Sequence, residues 1–201
     1  KNRILRHHDT ATGMHAAAIS TSSAILICAA LTAPKLYSGL SFINPQAMET
    51  TYCNPSTKPV FAKCIRAVYN TPVIGSFMYN LKYNRAAIMD KLSKVSGLEV
   101  AQKNELADSM YEAAHTGGYY GRFLLASIHG NLLNSDIARM LSKLSTPILI
   151  VTGSADRQAK KALPAFDIDK ENISSVILED ISAPQLECPD KLARILNSFF
   201  N

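Results

Sequence analysis

A chain of 201 residues, 47% of them hydrophobic and 18% charged, is long enough to bury a sizeable core and too apolar to be intrinsically disordered. The net charge of +5 is scattered along the chain instead of forming a basic stripe with interleaved aromatic residues, so the sequence predicts no nucleic-acid partner. The dense basic cluster within residues 1–8 is typical of a solvated chain end.

The cysteine spacing and the apolar runs indicate which kinds of site and which cellular location the sequence favours. The four cysteines show no C-x-x-C spacing, which argues against a zinc site or a dense disulfide framework and favours a reducing, cytoplasmic location. Hydroxyl residues interrupt the longest apolar stretch, 16–33, so we expect no membrane span and no membrane partner. Nothing in the sequence indicates a metal or an organic cofactor, and the expected partner is a small-molecule substrate or ligand.

Predicted strands and helices alternate as in an α/β protein with a mostly parallel sheet. Runs rich in Ile, Val and Leu predict buried strands at His15–Ile19, Leu40–Ile43, Pro147–Val151 and Val176–Leu178. A helix is expected at Thr21–Ala33, and an amphipathic one at Pro189–Phe200 is expected to cover one side of the sheet. The middle of the chain predicts a helical insertion, with helices at Lys58–Tyr69, Pro72–Leu81, Arg85–Lys94, Val100–His115, Gly121–Ile128 and Ser135–Leu144.

Ser20 lies between the first predicted strand and the helix that follows it. A serine on a tight strand-to-helix turn presents its hydroxyl at the carboxyl edge of a sheet, and Ala18 and Ser22 are small enough for such a turn. The free N–H groups of the helix would stabilise negative charge on an attacked carbonyl oxygen, with the Thr21 N–H as first donor. Alternatively, Ser20 caps the helix, a common role for serine before an apolar run.

From Ser20 to its end, the chain resembles the α/β-hydrolase fold family. The resemblance rests on the spacing from Ser20 to "LSFINP", on "TPILIVTGSAD" and on "ISAPQLECPDKLARILNSFF". It implies a hydrolase that acts on a small ester, amide or related acyl substrate. It also implies that Ser20 is the nucleophile, that Asp156 is the catalytic acid and that Thr21 provides the oxyanion donor.

Domain organisation follows from the same resemblance. The helical insertion of the family is a cap over the active site, so we expect a cap at 46–145 and a partial core formed by 1–45 and 146–201. The family's strands before the nucleophile turn have no counterpart in the short segment ahead of Ser20, and an uncovered sheet edge is a liability. We therefore expect a fragment, a processed chain, or a chain completed by a missing N-terminal segment or a partner chain.

The third catalytic position departs from the family pattern. The family loop reads Gly-His-x-Pro followed by a glutamate, whereas this chain reads "ISAP" followed by Glu187, so Ser182 stands where the catalytic histidine belongs. A serine hydroxyl has no usable basicity near neutral pH. The nucleophile turn also reads A-I-S-T-S instead of G-x-S-x-G. Weak hydrolysis or none is expected.

Several residues have plainer interpretations. The alternative interpretation of Asp156 is an ordinary turn residue after a glycine. His115 and His129 of the insertion are alternative bases, but histidines in such positions more often are surface or core residues. Aromatic residues of the insertion either line a pocket or pack between helices. The alternative function is a catalytically impaired α/β-hydrolase-like protein that binds a small ligand or a protein partner; a third is an interaction protein that uses the insertion surface.

Overall fold

The fold is described from a computed structural model, which covers residues 13–45, 59–118, 120–129, 137–166 and 169–201. The chain divides into two compact units. The first contains the described parts of Lys1–Gln46, Asp136–Asp180 and Pro189–Asn201, and the second contains those of Ala47–Ser135 and Ile181–Cys188. These units differ from the predicted core and cap in two places, because 137–145 group with the sheet and 181–188 group with the helical insertion.

Four strands form the sheet of the first unit, in the order β1-β2-β3-β4, and every pairing is parallel. They are β1 (Met14–Ile19), β2 (Tyr37–Ile43), β3 (Ile148–Gly153) and β4 (Ile173–Leu178). The predicted parallel sheet is therefore confirmed, and β2 and β4 each begin three residues before their predicted apolar runs. The added residues include Tyr37 and Ser38 in β2 and Ser174 and Ser175 in β4, and a search for apolar runs leaves out such polar residues.

The helices in chain order are α1 (Ser22–Thr32), α2 (Pro59–Asn70), α3 (Pro72–Tyr83), α4 (Arg85–Ser93), α5 (Val100–His115), α6 (Gly121–His129), α7 (Ile137–Leu141), α8 (Arg157–Phe166), α9 (Pro184–Glu187) and α10 (Pro189–Phe200). A short 3₁₀ turn, Pro34–Leu36, separates α1 from β2. Within the described residues, no helix combines the length and the apolar character that a membrane crossing requires.

Helices cover both faces of the sheet. Alternate residues of a strand point to opposite faces. On one face Phe42 packs against Phe166 of α8, with ring centroids 6.0 Å apart. On the other face α10 packs across the strands, and its Phe200 ring lies 4.6 Å from the ring of His15. Because β3 is completely buried between these layers, it reads as a continuous apolar run in the sequence.

Helix α7 is shorter than the predicted Ser135–Leu144. After Leu141 the backbone tightens into i to i+3 hydrogen bonds, and side chains from the loop before β4 bind the last carbonyl groups. Lys170 donates to Ser142 at 3.0 Å, and Asn172 donates to Thr146 at 2.6 Å. These side chains replace the helical partners of the carbonyl groups, so the helix ends before the apolar pattern does.

The second unit consists of α2 to α6 and α9. Ile88 and Leu92 of α4 pack with Ala107 of α5 in a small buried cluster. Helix α5 begins with a capping box, in which Glu99 and Gln102 bind each other's backbone groups. These packed helices confirm the predicted helical insertion.

Candidate active site

The carboxyl ends of the four strands meet at one edge of the sheet, and left-handed backbone is concentrated there. Ser20 follows β1 with φ 57°, Asn44 follows β2 with φ 43°, and Asp180 lies just beyond β4 with φ 57°. In the described part of the chain, no other non-glycine residue has positive φ. This conformation is strained for residues with a Cβ atom and clusters at functional sites. The edge is therefore the candidate site of the first unit.

Ser20 occupies the turn between β1 and α1. Its amide donates to the Ile43 carbonyl at 2.9 Å, which extends the β1–β2 pairing, and its carbonyl accepts from the Ser23 amide at 3.2 Å, which begins the helix. The Ser22 hydroxyl closes the same turn by accepting from the Ile19 amide at 3.1 Å. These bonds hold the backbone of Ser20 in its left-handed conformation.

The Ser20 side chain is half-buried, and its hydroxyl makes no hydrogen bond with any residue that the structure describes. Thr21, and not Ser20, is the N-cap residue of α1. The structure therefore does not support the alternative in which the Ser20 hydroxyl caps the helix.

Thr21 places a backbone donor beside this hydroxyl. Its amide donates to no acceptor among the described residues, and the residue is exposed. Unpaired N–H groups at the start of a helix carry partial positive charge and favour developing negative charge. The amide is thus free to serve as the predicted oxyanion donor.

Asp156 follows β3 and begins helix α8. One carboxylate oxygen, Oδ1, accepts from the Gln158 amide at 2.8 Å and from the Ala159 amide at 3.2 Å. The other oxygen, Oδ2, accepts from the Asn44 side-chain amide at 3.2 Å. The carboxylate is therefore held in one orientation, and its helix-capping bonds also satisfy the plainer interpretation as a turn residue.

Asn44 is the residue that the sequence analysis missed. It is buried, and its side chain bridges β2 to the end of β3: Oδ1 accepts from the Gly153 amide at 2.7 Å while Nδ2 donates to Asp156. Its own amide donates to the Val151 carbonyl at 2.7 Å. The signal in the sequence is an asparagine at a strand end, since asparagine tolerates left-handed backbone better than other residues with a side chain.

Ser20 and Asp156 share an edge but follow different strands. Because β2 lies between β1 and β3, the ends of these two strands are separated by two strand spacings, about 10 Å. A direct hydrogen bond across that gap is excluded. In serine hydrolases an imidazole spans the gap between nucleophile and acid.

Ser182 belongs to the second unit, in the loop before α9. The Glu187 carboxylate organises this loop, because Oε1 accepts from the Ser182 amide at 2.9 Å and from the Ala183 amide at 2.6 Å, and Oε2 accepts from the Ser96 hydroxyl. The glutamate of the predicted motif therefore has a structural role in this chain. Ser182 itself brings no basic group to the loop.

The structure shows the surroundings of two histidines, His115 and His15. His115 ends α5, where its Nδ1 lies 2.9 Å from the Tyr111 carbonyl and its ring stacks on the Tyr111 ring at 4.2 Å. His15 stacks on Phe200 at the opposite end of β1 from Ser20. The side chain of His129 lies outside the described residues.

The aromatic residues of the insertion divide between packing and exposure. Tyr79 is buried, donates to the Ala114 carbonyl at 2.7 Å and stacks on Tyr83 at 4.9 Å. Phe77 and Phe123 are exposed. Packing between helices therefore explains the first pair and not the second.

Solved α/β-hydrolase structures share this fold. One is MGS-M2, an α/β-hydrolase enzyme from a Medee basin deep-sea metagenome library, with a TM-score of 0.61, 17% identity, and coverage of 98% of this chain and 68% of that one. Another is 2-hydroxy-6-oxo-6-phenylhexa-2,4-dienoate hydrolase from Rhodococcus sp. strain RHA1, with a TM-score of 0.61, 14% identity, and coverage of 94% and 64%. A thermophilic esterase from Thermogutta terrifontis gives the same four values as the Rhodococcus enzyme. The chain has the α/β-hydrolase fold.

The likeness is one of fold at low sequence identity. The chain spans about two thirds of the length of these structures, namely 64% of the Rhodococcus hydrolase and of the esterase. No protein-family model and no curated protein matches the sequence. The activity of this chain is therefore argued from its own residues.

Proposed function

We propose that the chain is a hydrolase of small ester, amide or related acyl substrates, with Ser20 as its nucleophile. The observation that carries this proposal is the half-buried Ser20 hydroxyl, held on a left-handed turn between β1 and the amino terminus of α1. Similar solved structures include enzymes described as a hydrolase and an esterase, which supports the reaction class.

The proposed reaction is acyl transfer in two steps. The Ser20 oxygen forms a bond to the acyl carbon, and the Thr21 amide donates to the carbonyl oxygen while it carries negative charge. The bond from the acyl carbon to the leaving group then breaks, and the leaving group takes up a proton. Water hydrolyses the resulting acyl-serine ester, which releases the acid and restores the Ser20 hydroxyl.

The step that limits this reaction is removal of the Ser20 proton. Asp156 is oriented by Asn44 and by the start of α8, as it would be to hold a histidine base. Ser182 stands at the sequence position of that base and cannot accept a proton near neutral pH. The proton therefore passes to solvent, and the oxyanion donor and substrate binding supply what rate enhancement remains.

A second candidate function is binding without turnover, and the serine at position 182 favours it. A catalytically impaired relative would keep the Ser20 edge as a recognition site for a small ligand or a protein partner. The two candidates differ in one respect, since only the hydrolase makes a covalent bond at Ser20.

Hydrolysis of short-chain p-nitrophenyl esters tests the proposal. The unsubstituted chain is expected to show a slow rate above the buffer rate, and Ser20→Ala is expected to remove it. Ser182→His is expected to raise the rate by about 100-fold or more, the contribution of a positioned general base. Ser175→Ala, which alters an exposed serine on β4, is the matched control and is expected to change nothing.

Two results would contradict the proposed hydrolase function. A rate that Ser20→Ala leaves unchanged would exclude Ser20 as the nucleophile. If the chain shows no hydrolysis, and Ser182→His also shows none while circular dichroism shows a folded protein, the binding function replaces the hydrolase.

A further inference from the structure

The hydroxyl of Ser22 binds the backbone of the residue that precedes Ser20. Its oxygen accepts a hydrogen bond from the Ile19 amide at 3.1 Å, and its proton is donated to the Ile19 carbonyl at 2.5 Å. One side chain thus binds both backbone groups of a residue three positions earlier in the chain. Because the Ile19 carbonyl belongs to the planar peptide group that leads into Ser20, these bonds fix the plane from which the nucleophile turn starts.

The two backbone groups of Ile19 lie on the free edge of the sheet. Successive residues of a strand direct their backbone groups to opposite sides, and the Ser20 amide donates to the Ile43 carbonyl of β2. The Ile19 groups therefore point away from β2. Strand β1 is the first in the order β1-β2-β3-β4, and no strand of the described residues pairs with it on its outer side. Ser22 therefore supplies the hydrogen bonds that a neighbouring strand would otherwise provide.

The Ser22 hydroxyl is not used to cap helix α1. The N-cap residue is Thr21, and its side chain makes no capping hydrogen bond. The backbone enters the helix through the Ser23 amide, which donates to the Ser20 carbonyl at 3.2 Å. Since Ser22 directs its hydroxyl back to β1, its two bonds stabilise the strand-to-helix turn and not the helix itself.

Ser20 needs such support because its backbone is strained. Its φ of 57° is left-handed, a conformation that is unfavourable for a residue with a Cβ atom and that persists where surrounding contacts enforce it. The bond to β2 holds the Ser20 amide, and the bonds from Ser22 hold the peptide group before it. Together they set the direction of the Cα–Cβ bond of Ser20, and hence the position of its hydroxyl.

We propose that Ser22 is a positioning residue for the Ser20 nucleophile, a role that rests on the proposed hydrolase function. The α/β-hydrolase pattern G-x-S-x-G has glycine at this position, so a comparison of sequences counts Ser22 as a departure that weakens the site. In this chain the serine instead adds two hydrogen bonds that hold one conformation of the turn. Because its proton is donated to Ile19, Ser22 acts through the backbone of Ser20 and is not itself the nucleophile.

Steady-state hydrolysis of p-nitrophenyl acetate by the whole chain tests the proposal, with the rate of Ser20→Ala subtracted. Ser22→Ala and Ser22→Gly are expected to lower kcat by about 10- to 100-fold, the effect of a small misplacement of a reacting group, and to leave KM unchanged. Ser22→Thr retains a hydroxyl and is expected to restore most of the rate. Thr32→Ala is the matched control, because it removes a hydroxyl that donates to the Cys28 carbonyl at 2.8 Å at the other end of α1, and it is expected to change neither constant.

Hydrogen exchange of the Ile19 amide, followed by nuclear magnetic resonance, provides a readout that needs no catalysis. In Ser22→Ala this amide loses its acceptor, so its exchange rate is expected to rise by about two- to tenfold, the contribution of one hydrogen bond. Ser22→Thr and Thr32→Ala are expected to exchange at the rate of the unsubstituted chain. Circular dichroism confirms that each variant is folded.

Three results would overturn the role of Ser22 while Ser20 remains the nucleophile. They are hydrolysis by Ser22→Gly at the rate of the unsubstituted chain, an equal loss of kcat in Ser22→Ala and Thr32→Ala, and unchanged exchange of the Ile19 amide in Ser22→Ala. The first would show that a small residue is sufficient at this position, and the second that the loss reflects the stability of α1. A rate that Ser20→Ala leaves unchanged would instead overturn the proposed function, and Ser22 would then have no nucleophile to position.

Discussion

Asn44 ties the ends of β2 and β3 together, and its removal should destabilise the first unit. The substitution Asn44→Ala leaves the Gly153 amide without its acceptor at 2.7 Å and removes the donor that lies 3.2 Å from Oδ2 of Asp156. A buried N–H group that loses its partner destabilises a protein by about 1 to 3 kcal/mol. Alanine in left-handed backbone adds about 1 kcal/mol relative to asparagine. The expected loss in free energy of unfolding is about 2 to 4 kcal/mol.

A second substitution at the same position separates geometry from charge. Asn44→Asp retains an acceptor for Gly153 and tolerates the left-handed backbone, but it places a second carboxylate beside Asp156. Repulsion between two such charges is about 1 to 4 kcal/mol, depending on how much water reaches them. This penalty should be present at pH 7 and should shrink toward pH 4, as the carboxylate pair takes up a proton.

Urea unfolding followed by far-ultraviolet circular dichroism measures these differences, at pH 7 and pH 4. Asn197→Ala, at an exposed position of α10, is the control and is expected to stay within about 0.5 kcal/mol of the unsubstituted chain. The reasoning fails if Asn44→Ala is as stable as Asn197→Ala. It also fails if Asn44→Asp matches the unsubstituted chain at pH 7, since the two carboxylates would then not face each other.

Other predictions concern strain, ion pairing and packing. Because Ser20 has a φ of 57°, Ser20→Gly is expected to be more stable than Ser20→Ala by about 1 kcal/mol in urea unfolding, whereas Ala29→Gly within α1 is expected to lose about 1 kcal/mol. The Arg85 guanidinium lowers the pKa of Asp108 in the folded state. The pair therefore stabilises the protein above the unfolded pKa of that carboxyl, and this contribution is lost as the pH falls through the lower folded value. Asp108→Asn is expected to abolish that part of the decrease in the free energy of unfolding at acidic pH, and an unchanged decrease would contradict the prediction. Phe42→Ala is expected to lower the free energy of unfolding by about 3 to 5 kcal/mol because the ring is fully buried, and a loss below about 1 kcal/mol would show that Phe42 is not a core residue.

Much of the fold can be predicted from local sequence pattern. The run at 147–153 is apolar because β3 is buried on both faces, and the pattern at 189–200 is amphipathic because only one side of α10 meets the sheet. Local patterns do not predict the end of a strand or helix where contacts with residues distant in sequence determine that end. Residues 37–39 join β2 through pairing with β1, and α7 ends early because Lys170 and Asn172 bind carbonyl groups beyond it.

The candidate site is predictable in part for similar reasons. Ser20 stands out because a serine at a strand-to-helix junction has a chemical use, and its turn follows from the two flanking patterns. Asn44 does not stand out, because its partners Gly153 and Asp156 are more than a hundred residues away in sequence.

Covalent labelling of Ser20 tests the central claim most directly. A fluorophosphonate reacts with an activated serine by forming an oxygen–phosphorus bond with loss of fluoride, and peptide mass spectrometry identifies the modified residue. The account predicts one adduct, on Ser20, that Ser20→Ala removes and Ser175→Ala does not. A folded chain that remains unmodified after prolonged incubation, or one modified at other serines to the same extent as at Ser20, would contradict it.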